Sequence, residues 1–405
     1  MTAYRQREIS AVIGHALKNM PVVVLAGMRQ TGKSTLLLNQ PELRNRKYFN
    51  FYDFAVLEAA RNNPEGLLAG RDHFSIDEAQ KFPEILTVIK REVDKDRKPG
   101  RFLLTGSANF LLLKDIAESL AGRAVYLTLQ PFTRREITAT TDESPALIHF
   151  LKHGEFPTET APPVRWTEIL KGGMPSVCLG EAPDHQLWFQ GYEQTYLERD
   201  IRALSQVSDL VTFRHLLQLA ALRNGQVLKQ SELARDAKLN VMTTSRYLSL
   251  MEISFVLRRL PPYLRNPSSR LIKSPKLYFS DSGLAAHLAS QKESAASGPL
   301  SGALLECYLL QNLEGILTVH SPGARICYWH VQGRHEVDFV VETSRGTIAI
   351  EVKNASRWED KDLSGLRTFL TTTPSCLAGI LAYAGSRTVN LGDKIWAAPI
   401  PLLLS

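Results

Sequence analysis

Cysteine is scarce. The 405 residues hold four, Cys178, Cys307, Cys327 and Cys376, scattered without CxxC or metal-ligand spacing, which excludes a disulfide-stapled scaffold and a cysteine-held zinc site. No apolar run approaches the roughly 20 residues needed to span a bilayer, so no membrane-crossing helix is expected. The opening MTAYRQREIS has no apolar signal core, and together with the unpaired cysteines it points to a reducing cytoplasm. A strong excess of either charge is lacking as well. Against 41 acidic residues stand 48 basic ones, a net charge of +7, which permits contact with a polyanion without demanding it. No internal repeat is visible.

What is present is ordinary globular composition, 44% hydrophobic and 22% charged, and at roughly 150 residues per domain the length allows two to four domains. An amphipathic helix over 7–17 leads into Val22–Ala26, a short buried strand of the kind found in parallel sheets. Further apolar strands are expected at 48–51, 73–76, 102–104 and 124–127, separated by helical periodicity, so residues 1–145 read as an α/β domain. Residues 146–205 turn mostly helical and read as a lid or linker, broken by Lys171-Gly172-Gly173-Met174-Pro175. Helices over 212–222, 230–238 and 241–252, then strands near 255–260 and 276–280, make residues 206–290 a candidate winged helix. A polar stretch over 289–301 looks like a linker, and residues 298–405 return to a helix followed by strands.

Directly after the first strand stands Gly27-Met28-Arg29-Gln30-Thr31-Gly32-Lys33-Ser34, which fits GxxxxGK[ST] in its required context between a buried strand and the helix opened by Thr35. Such glycines let backbone N–H groups turn towards phosphates; Lys33 is placed for the β/γ oxygens of ATP and Ser34 for Mg2+. Phe74-Ser75-Ile76-Asp77-Glu78 ends a strand in two carboxylates. Asp77 would hold the magnesium shell and Glu78 would orient and deprotonate the attacking water, although an acidic helix start explains the pair as well. Thr105 and Ser107, at the tip of the strand 102–104, are candidate γ-phosphate sensors or simple strand terminators. Arg123 is a candidate arginine finger for a neighbouring subunit of a homo-oligomer, or a solvated arginine.

On the motifs GMRQTGKST, FSIDEAQ, LLTGSANF, SLAGRA, GGMP and YLERDI the chain resembles, over essentially its whole length, the bacterial and archaeal AAA+ proteins of the STAND-like branch that carry a C-terminal domain of unknown function. The resemblance implies an ATP-hydrolysing core followed by a winged helix and a nuclease-like fold. In the winged helix the recognition helix would expose Asn240, Thr243, Thr244, Arg246 and Tyr247, with Arg258, Arg259, Arg265 and Arg270 along the wing. DNA binding is one expectation; packing on the nucleotide domain or another subunit is the other.

Near the C-terminus, His335-Glu336-Val337-Asp338-Phe339-Val340-Val341 and Thr347-Ile348-Ala349-Ile350-Glu351-Val352-Lys353 alternate like strands around a turn over 343–346, a hairpin in which a turn centred on Ser344 and Arg345 sets Asp338 opposite Glu351. Lys353 follows on their face. Carboxylates that close repel unless protonated or bridged by a cation, and the oxygen-rich set suits Mg2+ or Mn2+. Glu306, the lone charge in the apolar helical stretch 304–310, would add a third ligand. Together Glu306, Asp338, Glu351 and Lys353 resemble the PD-(D/E)xK nuclease core, with Val337 in place of the proline. The resemblance implies a restriction-endonuclease-like α/β domain and metal-assisted phosphodiester hydrolysis. A structural salt-bridge cluster around Lys353, or a nuclease fold kept as an inert scaffold, accounts for the same residues.

Overall fold

The computed structural model describes residues 4–69, 73–106, 120–158, 161–196, 201, 209–264, 273–331 and 335–405. Five strands form the N-terminal sheet: β1 (Val22–Ala26), β2 (Lys47–Asn50), β3 (Phe74–Asp77), β4 (Phe102–Thr105) and β5 (Ala124–Thr128), in the order β2-β3-β4-β1-β5. Every pairing is parallel. Each lies within two residues of its expected position. All five residues of β1 are buried, because a central parallel strand is covered on both faces and gains by being apolar throughout. Parallel strands end at a common edge, and the register sets Leu25 beside Thr105 and Asn50 beside Asp77. The loops after β1, β3 and β4 therefore emerge side by side.

Beyond residue 145 one large core runs through the helical, middle and C-terminal portions, and a second, around Val337, Leu366 and Phe369, lies within the C-terminal portion. The large core joins Leu147 and Phe150, Phe189 and Tyr192, Phe213 and Leu248, Leu309 and Leu313, and Phe339 and Ile350. Its middle portion is made of the helices Leu210–Leu222, Gln230–Asp236 and Val241–Ile253 with the antiparallel sheet β6-β8-β7, where β6 is Gln226–Val227, β7 Leu257–Leu260 and β8 Lys276–Phe279. Asp209 and Asn240 cap the first and third helices, each accepting from main-chain N–H groups of the first turn, which marks where those helices can begin.

The C-terminal portion is a mixed sheet of six strands, β9 (Arg325–Val331), β10 (His335–Thr343), β11 (Gly346–Lys353), β12 (Cys376–Tyr383), β13 (Val389–Gly392) and β14 (Ile395–Pro399), ordered β13-β14-β12-β11-β10-β9. The 20-residue helix Ser301–His320 packs over β11 and reaches back to the first helix, Ile9–Asn19. The β10–β11 register runs Thr343↔Gly346 to Phe339↔Ile350, the offset the turn at 343–346 predicts, and ends one residue short of Asp338 and Glu351. Among the described residues no helix is long and apolar enough to cross a membrane.

Candidate nucleotide site and C-terminal acidic cluster

The loop between β1 and the helix Lys33–Asn39 is wound tightly by its glycines. Gly27 has φ +149°, and a Cβ there would stand 2.5 Å from the carbonyl oxygen of Leu129; Gly32 has φ +92°. Neither conformation suits a side chain. The Lys33 ammonium donates to the carbonyls of Gly27 at 2.9 Å and Met28 at 2.8 Å, so the lysine is folded back on its own loop. Met28 and Thr31 are buried, 2% and 0% exposed, and can meet a phosphate only through their main chains. Arg29, Gln30, Gly32, Lys33, Ser34, Thr35 and Glu78 line a cavity of about 420 Å³.

Asp77 ends β3 beside this cavity. Its carboxylate accepts from the Tyr48 hydroxyl at 2.8 Å and from the Thr105 hydroxyl. Glu78 has φ 57°, a strained conformation for a non-glycine residue, of a kind that collects at functional sites. Burial first, and the Asp77 charge second, raise its pKa above the ordinary glutamate value. Ser107 lies outside the described residues. Arg123 precedes β5 at the opposite edge of the sheet, where its carbonyl accepts from Val22, and its guanidinium holds Asp94 at 2.6 and 2.9 Å.

The sequence reads Gly172-Gly173-Met174-Pro175 as a loop in a lid or linker, and the structure brings its last residue to the wall of the candidate nucleotide cavity. Pro175 and Leu179 line that cavity opposite Gly32. Gly172 has φ +62°, and a Cβ there would strike the Asp281 carboxylate at 2.5 Å; at Gly173 it would strike the Phe132 carbonyl at 2.3 Å. The paired glycines let the backbone pass between the ATPase sheet and the rest of the chain. Gly173 donates its N–H to Asp281 at 2.7 Å and accepts from Phe132 at 2.7 Å. Gln311, on the long helix, donates to the Phe132 carbonyl at 3.2 Å and accepts from Ser282 at 3.1 Å. Asp281 is fully buried, and burial pushes its carboxyl up to about 6 against the opposing pull of the N–H groups it accepts from. Gly173→Ala should therefore cost roughly 1–3 kcal/mol by overpacking, read as a lower midpoint in thermal unfolding.

Two corrections concern the middle unit. Thr244 and Tyr247 are 0% and 3% exposed, because helical spacing puts them with Leu248 and Met251 on the core side; Val241, Met242 and Arg246 are the exposed residues. Asn240 is spent on its cap, accepting from Thr243 at 2.7 Å. Along the wing, Arg258 pairs with Glu314 and Arg259 lies 3.3 Å from Glu252. Arg265 and Arg270, like Leu197 to Asp200 of the YLERDI motif, fall outside the described residues.

The C-terminal carboxylates do converge, around a group the sequence did not flag. Lys276 of β8, 3% exposed, pairs with Glu336 and lies 3.4 Å from Asp338 Oδ1. The Tyr278 hydroxyl donates to Glu306 at 2.7 Å, and Val352 donates its N–H to Asp338 Oδ2 at 2.9 Å. Lys353 stands 3.4 Å from Glu351 and 3.6 Å from Asp362. Burial, then the Asp338 charge, raises the carboxyl pKa of both Glu306 and Glu351. Burial alone would lower that of Lys276; Asp338, Glu306 and Glu336 raise it instead. Among the described residues no three His, Cys, Asp or Glu side chains are gathered as a metal would require. The expected cation between the carboxylates is a lysine ammonium, and the set does not fit a metal centre as it stands. Lys276 could not be found from sequence, since β8 lies about 60 residues before the hairpin and comes to it only by packing.

Comparisons with known proteins match three stretches of the chain. Residues 19–138 match a family model described as an AAA domain. Residues 166–295 and 301–403 match two models described as domains of unknown function, DUF8612 and DUF4143. An uncharacterized protein of Mycobacterium tuberculosis is 29% identical over 405 residues, covering 99% of this chain and 85% of its own length. Another, from Haemophilus influenzae, is 23% identical over 67% of this chain and 70% of its own. Among solved structures, the Walker-type ATPase PABY2304 of Pyrococcus abyssi aligns at TM-score 0.44 and 16% identity, over 71% of this chain and 96% of that one. The RuvB branch migration motor of Thermotoga maritima aligns at TM-score 0.29 and 16% identity, over 64% and 90%. At such scores neither likeness carries an argument. The AAA match covers the five parallel strands and their glycine loop, so the N-terminal part is similar to AAA domains in sequence and has the parallel sheet expected of a P-loop fold.

Proposed function

We propose that this domain binds ATP with Mg2+ and hydrolyses it, and that turnover drives the remainder of the chain to act on DNA. The observation that carries the first half is the cavity that gathers Lys33, Ser34 and Glu78 beside Asp77 at the common edge of the parallel sheet. A triphosphate entering it offers Lys33 stronger acceptors than the two carbonyls it now holds. The loop amides then cradle the phosphates, Ser34 and Asp77 hold the metal, and Glu78 orients and deprotonates water. Bound Mg2+ supplies charge neutralisation on the phosphate oxygens. Because the Glu78 pKa is raised, its basic form is lost at higher pH than for an ordinary glutamate. Turnover should accordingly fall on acidification while the pH is still above the usual glutamate range, which a pH profile of kcat measures.

The path from that site to the rest of the chain is Pro175, Gly173, Asp281 and Gln311, a set of buried polar contacts that an altered cavity wall cannot leave undisturbed. In support of DNA as the target stand the net charge of +7 and the exposed end of Val241–Ile253, which offers Met242 and Arg246. The middle unit's order of helices and strands supports the winged-helix reading. Arg246→Glu should weaken binding of duplex DNA and lower the salt slope by about one; unchanged affinity and slope would remove DNA from the scheme. Arg123 would serve a neighbouring subunit of a homo-oligomer once released from Asp94. Arg123→Ala alone should lose turnover and recover it when mixed with Lys33→Ala; failure of the mixture would leave Arg123 as a surface ion pair.

A second reading is an ATP-dependent switch acting on a protein partner, with the nuclease-like C-terminal sheet as scaffold. Favouring it are the engaged wing arginines and the lysine-filled acidic cluster, for which we assign no cutting step. DNA stimulates ATP turnover in the first reading and leaves it unchanged in the second.

A further inference from the structure

We propose that the acidic cluster of the C-terminal sheet is an ionic lock whose cation is the Lys276 ammonium, and that this ammonium and a divalent metal ion exclude one another. The inference is independent of the ATP reading, because it concerns residues remote from the nucleotide cavity.

Lys276 and Tyr278 stand two apart on β8 and so project from the same side of the strand. Both are spent on the C-terminal portion: Lys276 on Glu336 and Asp338, Tyr278 on Glu306. Asp338 has its second oxygen on the N–H of Val352. The carboxylate oxygens that a divalent cation would need at about 2.0–2.6 Å are therefore turned towards an ammonium, a phenol and an amide. Around this centre the wing is tied down again. Tyr263 donates its N–H to Tyr328, Tyr328 donates its N–H to Pro261 at 3.0 Å, and the Tyr328 hydroxyl donates to Ser274. Arg258 meets Glu314.

Charge decides what happens when the lysine is taken away. Glu306, Glu336, Asp338 and Glu351 outnumber Lys276 and Lys353 by two. Removing Lys276 raises that excess from two to three, and a buried carboxylate without a counter-ion must either take up a proton or attract another cation. Glu351 Oε2 is buried without a hydrogen-bond donor, which leaves an oxygen ready to turn to an entering ion. With Lys276 present, the same ion would have to displace an ammonium already paired, and would meet its repulsion.

The test uses the full chain without nucleotide, with Mn2+ as probe, followed by electron paramagnetic resonance and by thermal unfolding. Wild-type protein should show no Mn2+ that is lost on Asp338→Asn substitution. Lys276→Met should bind one Mn2+ at least about tenfold more tightly than wild type, gain thermal stability from it, and lose both effects in the Lys276→Met, Asp338→Asn double variant. Mn2+ bound by wild type and released by Asp338→Asn would overturn the lock, as would a folded Lys276→Met protein that gains no affinity. Should Lys276→Met fail to fold, the comparison of wild type with Asp338→Asn still decides: a difference in bound Mn2+ overturns the proposal, and equality sustains it.

Discussion

Lys33→Ala should lower ATP turnover by roughly 10²–10³-fold or more, the loss that follows removal of one preorganised charge donor from a phosphate site. The lysine opens the helix Lys33–Asn39 and is almost fully buried at 7% exposed, so no solvated neighbour can replace it. Glu78→Gln is the complementary case. It keeps the size and the hydrogen bonding of the side chain but cannot take a proton, so turnover should fall by roughly 10²–10⁴-fold while nucleotide binding persists. Calorimetry of nucleotide binding alongside a phosphate-release assay separates the two. If both variants turn over ATP at the parental rate, the assignment of the cavity fails.

The largest effect on stability is expected at the other end of the chain. Lys276→Met keeps the apolar length of the side chain and removes its charge, leaving Asp338 and Glu336 with no ammonium. Breaking a buried pair in this way costs about 3–5 kcal/mol, which at about 2–4 °C per kcal/mol for a chain of a few hundred residues lowers the midpoint by roughly 10 °C. The sign of the pH dependence follows from the raised carboxyl groups of Glu306, Asp338 and Glu351. An acid whose folded pKa lies above its unfolded value favours folding below the unfolded value and loses that contribution as pH rises through the folded one. The Lys276→Met deficit should therefore be small in acid and grow towards alkaline pH, and thermal melts across that range measure it. A deficit that did not change with pH would mean that the loss is one of packing alone.

Local signals carried the ATPase part a long way. A buried apolar strand, a glycine loop and a lysine within a dozen residues define a phosphate site because each element constrains its immediate neighbour, and no distant contact is needed to complete the pattern. The hairpin register was legible for the same reason: a four-residue turn at 343–346 decides which residues oppose one another along both strands. The recognition helix was legible only in outline. Its length could be read, but which of its sides meets the core depends on where Leu248 and Met251 find partners, and the expected exposure of Thr244 and Tyr247 was reversed by that packing.

The sequence by itself determined the parallel sheet, the glycine loop that follows its first strand, and the carboxylates towards the ends of β3 and β11. Tertiary structure alone decided what those carboxylates face. Lys276 reaches Asp338 at a separation of 62 positions in the chain, and Gly173 reaches Asp281 at a separation of 108. Contacts of that span arise from how apolar faces are buried together, a property of the whole chain that no local pattern of residues encodes.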